Sequence, residues 1–182
     1  MTPAQLVVDS MLPLLGAIDP WRRLAGDVLE GMGLGPAGTP HTVMATGSPA
    51  SIRRYRPARP VGRTVLLVPA PIKAPYLWDL LPRVSVVRRC LAAGLDVGVL
   101  EWPRRPGDRG RMGLTDYVEG MLSAAVETLE RDCPGQPVFV AGHSLGGTFA
   151  ALFAARHPRR IAGLALLGAP LHFGPAIGAL GR

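Results

Sequence analysis

The chain has 182 residues, of which 48% are apolar and 18% charged, with 23 glycines and 19 prolines. This length and apolar fraction allow one domain with a sizeable core and disfavour extended disorder, while the many turn-forming residues disfavour a helical bundle. The net charge of +7 comes mostly from single arginines and arginine pairs without interleaved aromatic residues, so it does not indicate nucleic-acid binding.

The first 36 residues are predicted to form a helical lead. Apolar residues recur at roughly helical spacing between residues 4 and 32, and prolines at positions 13 and 20 divide them into two short helices. No basic residue precedes Arg22, so the segment lacks the charged start of a secretory signal. We therefore divide the chain into a helical lead, residues 1–36, and an α/β core, residues 37–182.

Strand and helix patterns alternate from residue 64 to 167, after a predicted edge hairpin with strands at 42–45 and 52–55. Short apolar runs of the kind that parallel sheets bury on both faces occupy residues 64–69, 95–102, 138–141 and 161–167. Helical spacing occupies residues 84–93, 114–131 and 145–156, and Asp116 with Glu119 would open the second helix as a capping box. This alternation implies right-handed crossovers in a mostly parallel, doubly wound α/β sheet.

The pentapeptide Gly-His-Ser-Leu-Gly, residues 142–146, joins a predicted strand to a predicted helix. The motif alone is common, but strand, tight turn and helix in succession are what a nucleophile elbow requires. We predict that Ser144 is a nucleophile on a strained turn and that the Leu145 amide, at the helix N-terminus, binds an oxyanion. Small residues would let strand and helix cross closely, and they are present as Gly142, Gly146 and Gly147. The alternatives are a phosphate-binding glycine turn and a plain strand-to-helix corner. A phosphate-binding turn of the dinucleotide type would need an acidic residue about 20 positions further on, and no acid follows.

With these features the chain resembles the α/β-hydrolase superfamily and, within it, the poly(3-hydroxyalkanoate) synthase branch. The resemblance covers about residues 61–173 and rests on LVPAPI at 67–72 with YLWDL at 76–80, on spaced residues of 85–102, and on 114–118 leading to GHSLGGT at 142–148. The synthases it resembles have cysteine at the elbow, whereas this chain has Ser144, and serine favours ester or thioester hydrolysis over chain-growing acyl transfer. Many relatives also have aspartate where this chain has His172.

The resemblance implies a second oxyanion donor in the loop after the strand at 64–69. Pro69 and Pro71 have no N–H, so Ala70 or Ile72 must supply the donor, and the likeness to the synthases favours Ile72. The alternative interpretation of Ile72 is an apolar loop residue that packs under the sheet.

The acid and base of a catalytic triad are not evident. The superfamily order is serine, acid, histidine, but no Asp or Glu follows Ser144. We interpret His143 as packing of the elbow and His157 as a helix cap, which leaves His172 as a candidate base. A displaced acid is a further alternative, at Glu101 or Asp108. We therefore expect the front portion of a hydrolase, truncated at the C-terminus, with an exposed strand edge.

The sequence thus predicts a serine hydrolase that cleaves an ester or thioester through an acyl-enzyme on Ser144, with no cofactor and no metal. A hydroxyacyl-CoA acyltransferase and an inactive fragment or interaction protein are the alternatives. The expected partner is a small acyl ester or thioester, acyl-CoA included. The two cysteines are too few for a disulfide framework, and the glycine-rich apolar tail does not suit a membrane span, so we expect a cytoplasmic protein.

Overall fold

The computed structural model describes residue 28, residues 38–103 and residues 112–172. The strands are β1 (Thr42–Ala45), β2 (Ser51–Tyr55), β3 (Thr64–Val68), β4 (Asp96–Glu101), β5 (Val138–His143) and β6 (Gly163–Leu167). The helices are α1 (Val86–Ala92), α2 (Ser123–Asp132), which continues a π-helical segment (Asp116–Leu122), and α3 (Leu145–Arg156); two 3₁₀ turns lie at Pro75–Trp78 and Pro82–Val84.

The six strands form one sheet in the order β1-β2-β4-β3-β5-β6. The last four of these run parallel to one another, while β1 and β2 form an antiparallel hairpin whose second strand pairs with β4. The predicted hairpin, the parallel sheet and the three core helices are therefore confirmed. The two predicted N-terminal helices lie outside the described residues, and the division at residues 36 and 37 stays a prediction.

Strand β3 lies at the centre of the sheet and all five of its residues are buried. Its side chains alternate between two apolar clusters: Leu66 and Val68 belong to the cluster beneath α2 and α3, and Val65 and Leu67 to the cluster that includes Trp78 and Val87. Because both faces are covered, an uninterrupted apolar run suits this position. The end of β3 is thereby held rigidly beside the end of β5.

Strand β6 differs from its prediction as a buried strand. Its residues 164–167 are exposed, Leu166 to 38% and Leu167 to 42%. Among the described strands it pairs only with β5, and α3 packs against it. The apolar run at 161–167 correctly predicted a strand, but the burial of that strand depends on which elements lie against it.

The second predicted helix also begins differently. Asp116 is not the first residue of the predicted capping box; its carboxylate accepts a hydrogen bond of 2.7 Å from the N–H of Gly113, three residues earlier, and so caps the first turn from within it. Glu119 does not complete a capping box, because it binds Arg156, the last residue of α3, and His157, which follows it. The two acids therefore fix the start of the helix and its packing against α3, respectively.

Arg54, one residue of an arginine pair, is buried. It is only 3% exposed and contacts Asp96 at 3.0 Å and Asp132 at 2.8 Å. Burial raises the pKa of Asp132, but the hydrogen bond from Arg54 and the charges of Arg54 and Arg56 outweigh it, so that the pKa is lowered overall. No helix among the described residues has the length and apolar character needed to cross a membrane.

Candidate active site

Ser144 lies at the junction where β5 ends and α3 begins. Its backbone has φ 55° and ψ −131°, and among the described residues it is the only non-glycine residue with positive φ. Such a conformation costs about 1–3 kcal/mol and is retained only where the surroundings enforce it. Here the Ser144 N–H donates to the Leu167 carbonyl of β6 at 3.0 Å, and the Ser144 carbonyl accepts from Gly147 at 2.9 Å.

The glycines around Ser144 allow close approach of three segments. A Cβ on Gly142 would lie 2.8 Å from the Gly146 carbonyl oxygen, and one on Gly146 would lie 2.5 Å from the Pro69 carbonyl oxygen. A Cβ on Gly147 would meet Ala169, in the loop after β6, at 2.6 Å. The steric demand predicted for these glycines is confirmed, and the loop after β3 lies directly against the first turn of α3.

The two candidate oxyanion donors lie at the carboxyl ends of neighbouring strands. Leu145 is the first residue of α3, and Ile72 lies in a turn closed by a hydrogen bond of 2.8 Å from the Lys73 N–H to the Ala70 carbonyl. Within the described residues neither the Leu145 nor the Ile72 amide donates a hydrogen bond. The Ile72 side chain is 79% exposed, so it does not pack under the sheet.

A cavity of about 240 Å³ opens beside this loop. Its lining residues are Pro71, Ile72, Lys73, Ala74, Pro75, Trp102 and Pro103. Trp102 was not predicted to be part of the site. The signal that could have indicated it is a polar indole N–H at the carboxyl end of a buried apolar strand.

His157 does not reach Ser144. It caps the C-terminus of α3, as expected, and its Nε2 lies 2.7 Å from a Glu119 carboxylate oxygen. Since α3 has 12 residues, the helix separates the two by about 18 Å. The hydrogen bond with His157 and the nearby Arg156 lower the pKa of Glu119. The Glu119–His157 contact joins the end of α3 to the π-helical segment.

The remaining candidates for acid and base take different positions. His172 is exposed and, within the described residues, has no hydrogen-bond or ion-pair partner. The His143 ring packs edge-on to Trp78 with 6.3 Å between ring centroids. Glu101 accepts two hydrogen bonds of 3.1 Å from Arg53, across the β2–β4 pair. Asp108 lies outside the described residues.

Comparison with known proteins places this arrangement in context. Residues 103–180 match the family described as serine aminopeptidase, S33. A hydrolytic enzyme from Pseudomonas aeruginosa, described as probable, has the same fold, with a TM-score of 0.54 at 21% identity over 74% of this chain and 42% of that one. A monoacylglycerol lipase from Paleococcus ferrophilus gives a TM-score of 0.53 at 23% identity over 71% and 47% of the two chains. The fold is therefore that of the α/β hydrolases.

Within that class the sequence is similar to the poly(3-hydroxyalkanoate) polymerase branch. The polymerase subunit of Haloarcula marismortui is 36% identical over 110 residues, which are 60% of this chain and 23% of that protein. The subunit of Synechocystis is 31% identical over 139 residues, 74% of this chain and 36% of that protein. This chain therefore spans about a quarter to a third of the length of these relatives.

Proposed function

We propose that this chain is a serine hydrolase in which the Ser144 hydroxyl attacks an ester or thioester carbonyl, so that the acyl C–O or C–S bond breaks, the alcohol or thiol leaves and an acyl-enzyme forms. The observation that carries the proposal is the backbone of Ser144, at φ 55° and ψ −131° between a parallel strand and a helix. A strained conformation of this kind is retained where it serves a site, and here it presents the hydroxyl at the carboxyl edge of the sheet.

The oxyanion of the tetrahedral intermediate would be held by backbone amides. Leu145 is at the N-terminus of α3, where the amide and the helix dipole both favour negative charge. The Ile72 amide is the second donor. Its loop begins at Pro69, whose carbonyl oxygen lies so close to α3 that a Cβ on Gly146 would clash with it. Preorganised donors of this type each contribute about 10²–10³ in rate in well-studied hydrolases.

A fluorophosphonate probe tests the proposal on the 182-residue protein. We expect one adduct, located on Ser144 by peptide mass spectrometry and absent from Ser144→Ala. Ser51→Ala is the matched control, since Ser51 is a half-buried serine on β2, and it should label like the wild type. Absence of an adduct on wild-type Ser144, or equal labelling of Ser144→Ala, would contradict a nucleophilic role.

Acyl transfer from a hydroxyacyl-CoA is the second candidate, supported by the likeness to polymerase subunits from two organisms. The two reactions differ in the acceptor of the acyl group, water or a hydroxyl of a growing chain. With 3-hydroxybutyryl-CoA as substrate, CoA release accompanied by free acid alone indicates hydrolysis, and release accompanied by polymer indicates transfer. If ester turnover is seen and Ser144→Ala abolishes it, the third candidate, an inactive fragment or interaction protein, is excluded.

A further inference from the structure

We infer that Trp102 is a positioning residue of this site, one that holds the loop of the second oxyanion donor through its indole N–H. The inference rests on the proposed function and deepens it. The Nε1–H of Trp102 donates a hydrogen bond of 2.8 Å to the Pro69 carbonyl oxygen, between residues 33 positions apart in sequence. Among the described residues, this is the only side-chain hydrogen bond to residues 69–74.

The Pro69 carbonyl is held from two sides. Trp102 donates to it, and the first turn of α3 comes so close that a Cβ on Gly146 would lie 2.5 Å from the same oxygen. The loop that carries Ile72 starts at this peptide group and lines a cavity together with Trp102. Because Pro69 and Pro71 have no N–H, the loop lacks two of the backbone donors with which loops are usually fixed.

The indole itself is held rigidly by aromatic neighbours. Trp102 is 5% exposed and packs edge-on against Tyr117 and Phe149, with 5.3 Å and 5.9 Å between ring centroids. Tyr117 and Phe149 in turn stack on each other at 5.1 Å. Phe149 belongs to α3, the helix that begins at the elbow, so the cluster ties the end of β4, the loop after β3 and the elbow helix together.

The hydrogen bond from Trp102 should therefore affect the reaction rate more than the binding of the reagent. A loop held at Pro69 places its amide before the reaction begins, and preorganised donors lower the barrier without a reorganisation cost. Loss of the indole N–H leaves the cavity and its apolar lining in place. Loss of this hydrogen bond should therefore lower the limiting rate of the reaction more than the affinity for the fluorophosphonate probe.

Trp102→Phe tests the inference, with Trp78→Phe as the matched control. Both tryptophans are about 95% buried, at 5% and 4% exposure, and both replacements remove the same ring volume. The Trp78 Nε1, however, is buried without a hydrogen-bond partner in the described residues, so its removal breaks no such contact. We expect Trp102→Phe to lower the limiting rate of Ser144 phosphonylation about tenfold and to change the half-saturating probe concentration by less, since phenylalanine keeps an aromatic ring in the cavity lining. Trp78→Phe should stay within about twofold of the wild type.

Hydrogen exchange of residues 70–74 gives an independent readout that needs no reactive serine. It should accelerate in Trp102→Phe and not in Trp78→Phe. If Trp102→Phe does not fold, β-(3-benzothienyl)alanine at position 102 keeps the bicyclic ring and replaces the N–H by sulfur, while 5-fluorotryptophan keeps the N–H and should restore wild-type behaviour.

The outcomes separate this inference from the proposed function. Failure of wild-type Ser144 to label refutes the proposed function, and the exchange comparison then decides the role of Trp102 in loop placement. Equal losses in both variants indicate a general packing effect and overturn the inference. So does a Trp102→Phe protein that labels at the wild-type limiting rate.

Discussion

Ser144 has a backbone conformation that glycine adopts more readily than any other residue, so Ser144→Gly should be more stable than Ser144→Ala. Its φ of 55° and ψ of −131° lie near the first central position of a type II′ turn, at about +60° and −120°, where glycine predominates. Both variants remove the hydroxyl. The comparison therefore isolates the backbone strain from any contact of the side-chain oxygen.

The size of the difference follows from two opposing terms. Strain at such a position costs a residue with a Cβ about 1–3 kcal/mol. Glycine loses about 0.4–1 kcal/mol relative to alanine, because its unfolded chain has more conformations. The expected net advantage of Ser144→Gly is about 1–2 kcal/mol, which corresponds to a Tm higher by about 3–6 °C in a domain of this size.

Urea unfolding followed by circular dichroism measures this difference. Ser123 provides the matched control, since it has helical angles, φ −60° and ψ −46°. At that position alanine should be more stable than glycine by about 1 kcal/mol, the opposite order. If Ser144→Gly proves less stable than Ser144→Ala by as much as the Ser123 pair differs, the elbow is not strained and the reasoning fails.

Three further perturbations follow from contacts elsewhere in the fold. Gly146→Ala should destabilise the protein by about 2 kcal/mol or more in urea unfolding, since its Cβ meets strand and loop backbone; Gly120→Ala, whose Cβ meets nothing, should not destabilise it. Arg54→Leu should cost about 3 kcal/mol in the same assay, because Asp96 stays buried with less compensation, and a neutral result would refute the importance of the pair. Burial and the charge of Asp79 raise the pKa of Tyr55 to about 12 from 10.0, so the stability that neutral Tyr55 contributes is complete below pH 10 and is lost as pH rises from 10 to 12. Alkaline titration of tyrosine absorbance should show a late component that Tyr55→Phe removes.

The elbow was predictable because its determinants are local. A strand pattern, a G-x-S-x-G turn and a helix pattern occupy 19 consecutive residues from Val138 to Arg156, and the sterically required glycines lie within three positions of Ser144. The parallel sheet was predictable for a similar reason, since short apolar runs alternate with amphipathic segments. These features need no knowledge of which distant segments meet.

The features that the sequence did not reveal depend on distant partners. Arg54 is buried because it is paired with Asp96 and Asp132. These acids lie 42 and 78 positions away in sequence, so the residues around Arg54 give no sign of the pairing. The role of Trp102 depends on Pro69 in the same way. The exposure of β6 depends on what covers its faces, which an apolar composition cannot indicate.

The excess of positive charge in the last 49 residues is also balanced by residues distant in sequence. This stretch has four arginines and no Asp or Glu, and so no residue that could be the acid of a triad in the superfamily order. In the structure Arg160 pairs with Glu130 at 2.6 Å, and Arg156 and His157 pair with Glu119, so the acids that balance it come from α2 and the π-helical segment before it.

These pairs are structural, and the His157–Glu119 contact shows why a histidine hydrogen-bonded to a carboxylate does not by itself identify a triad. Its geometry of 2.7 Å is suitable, but the length of α3 places it about 18 Å from Ser144. Activation of Ser144 therefore has to come from a group other than this pair. Because oxyanion donors and substrate binding alone still give about 10³–10⁴ over water when triad members, the serine included, are removed, slow turnover by itself does not show that a serine is acylated. The adduct that wild-type protein forms and Ser144→Ala lacks is therefore the decisive measurement for the proposed role of Ser144.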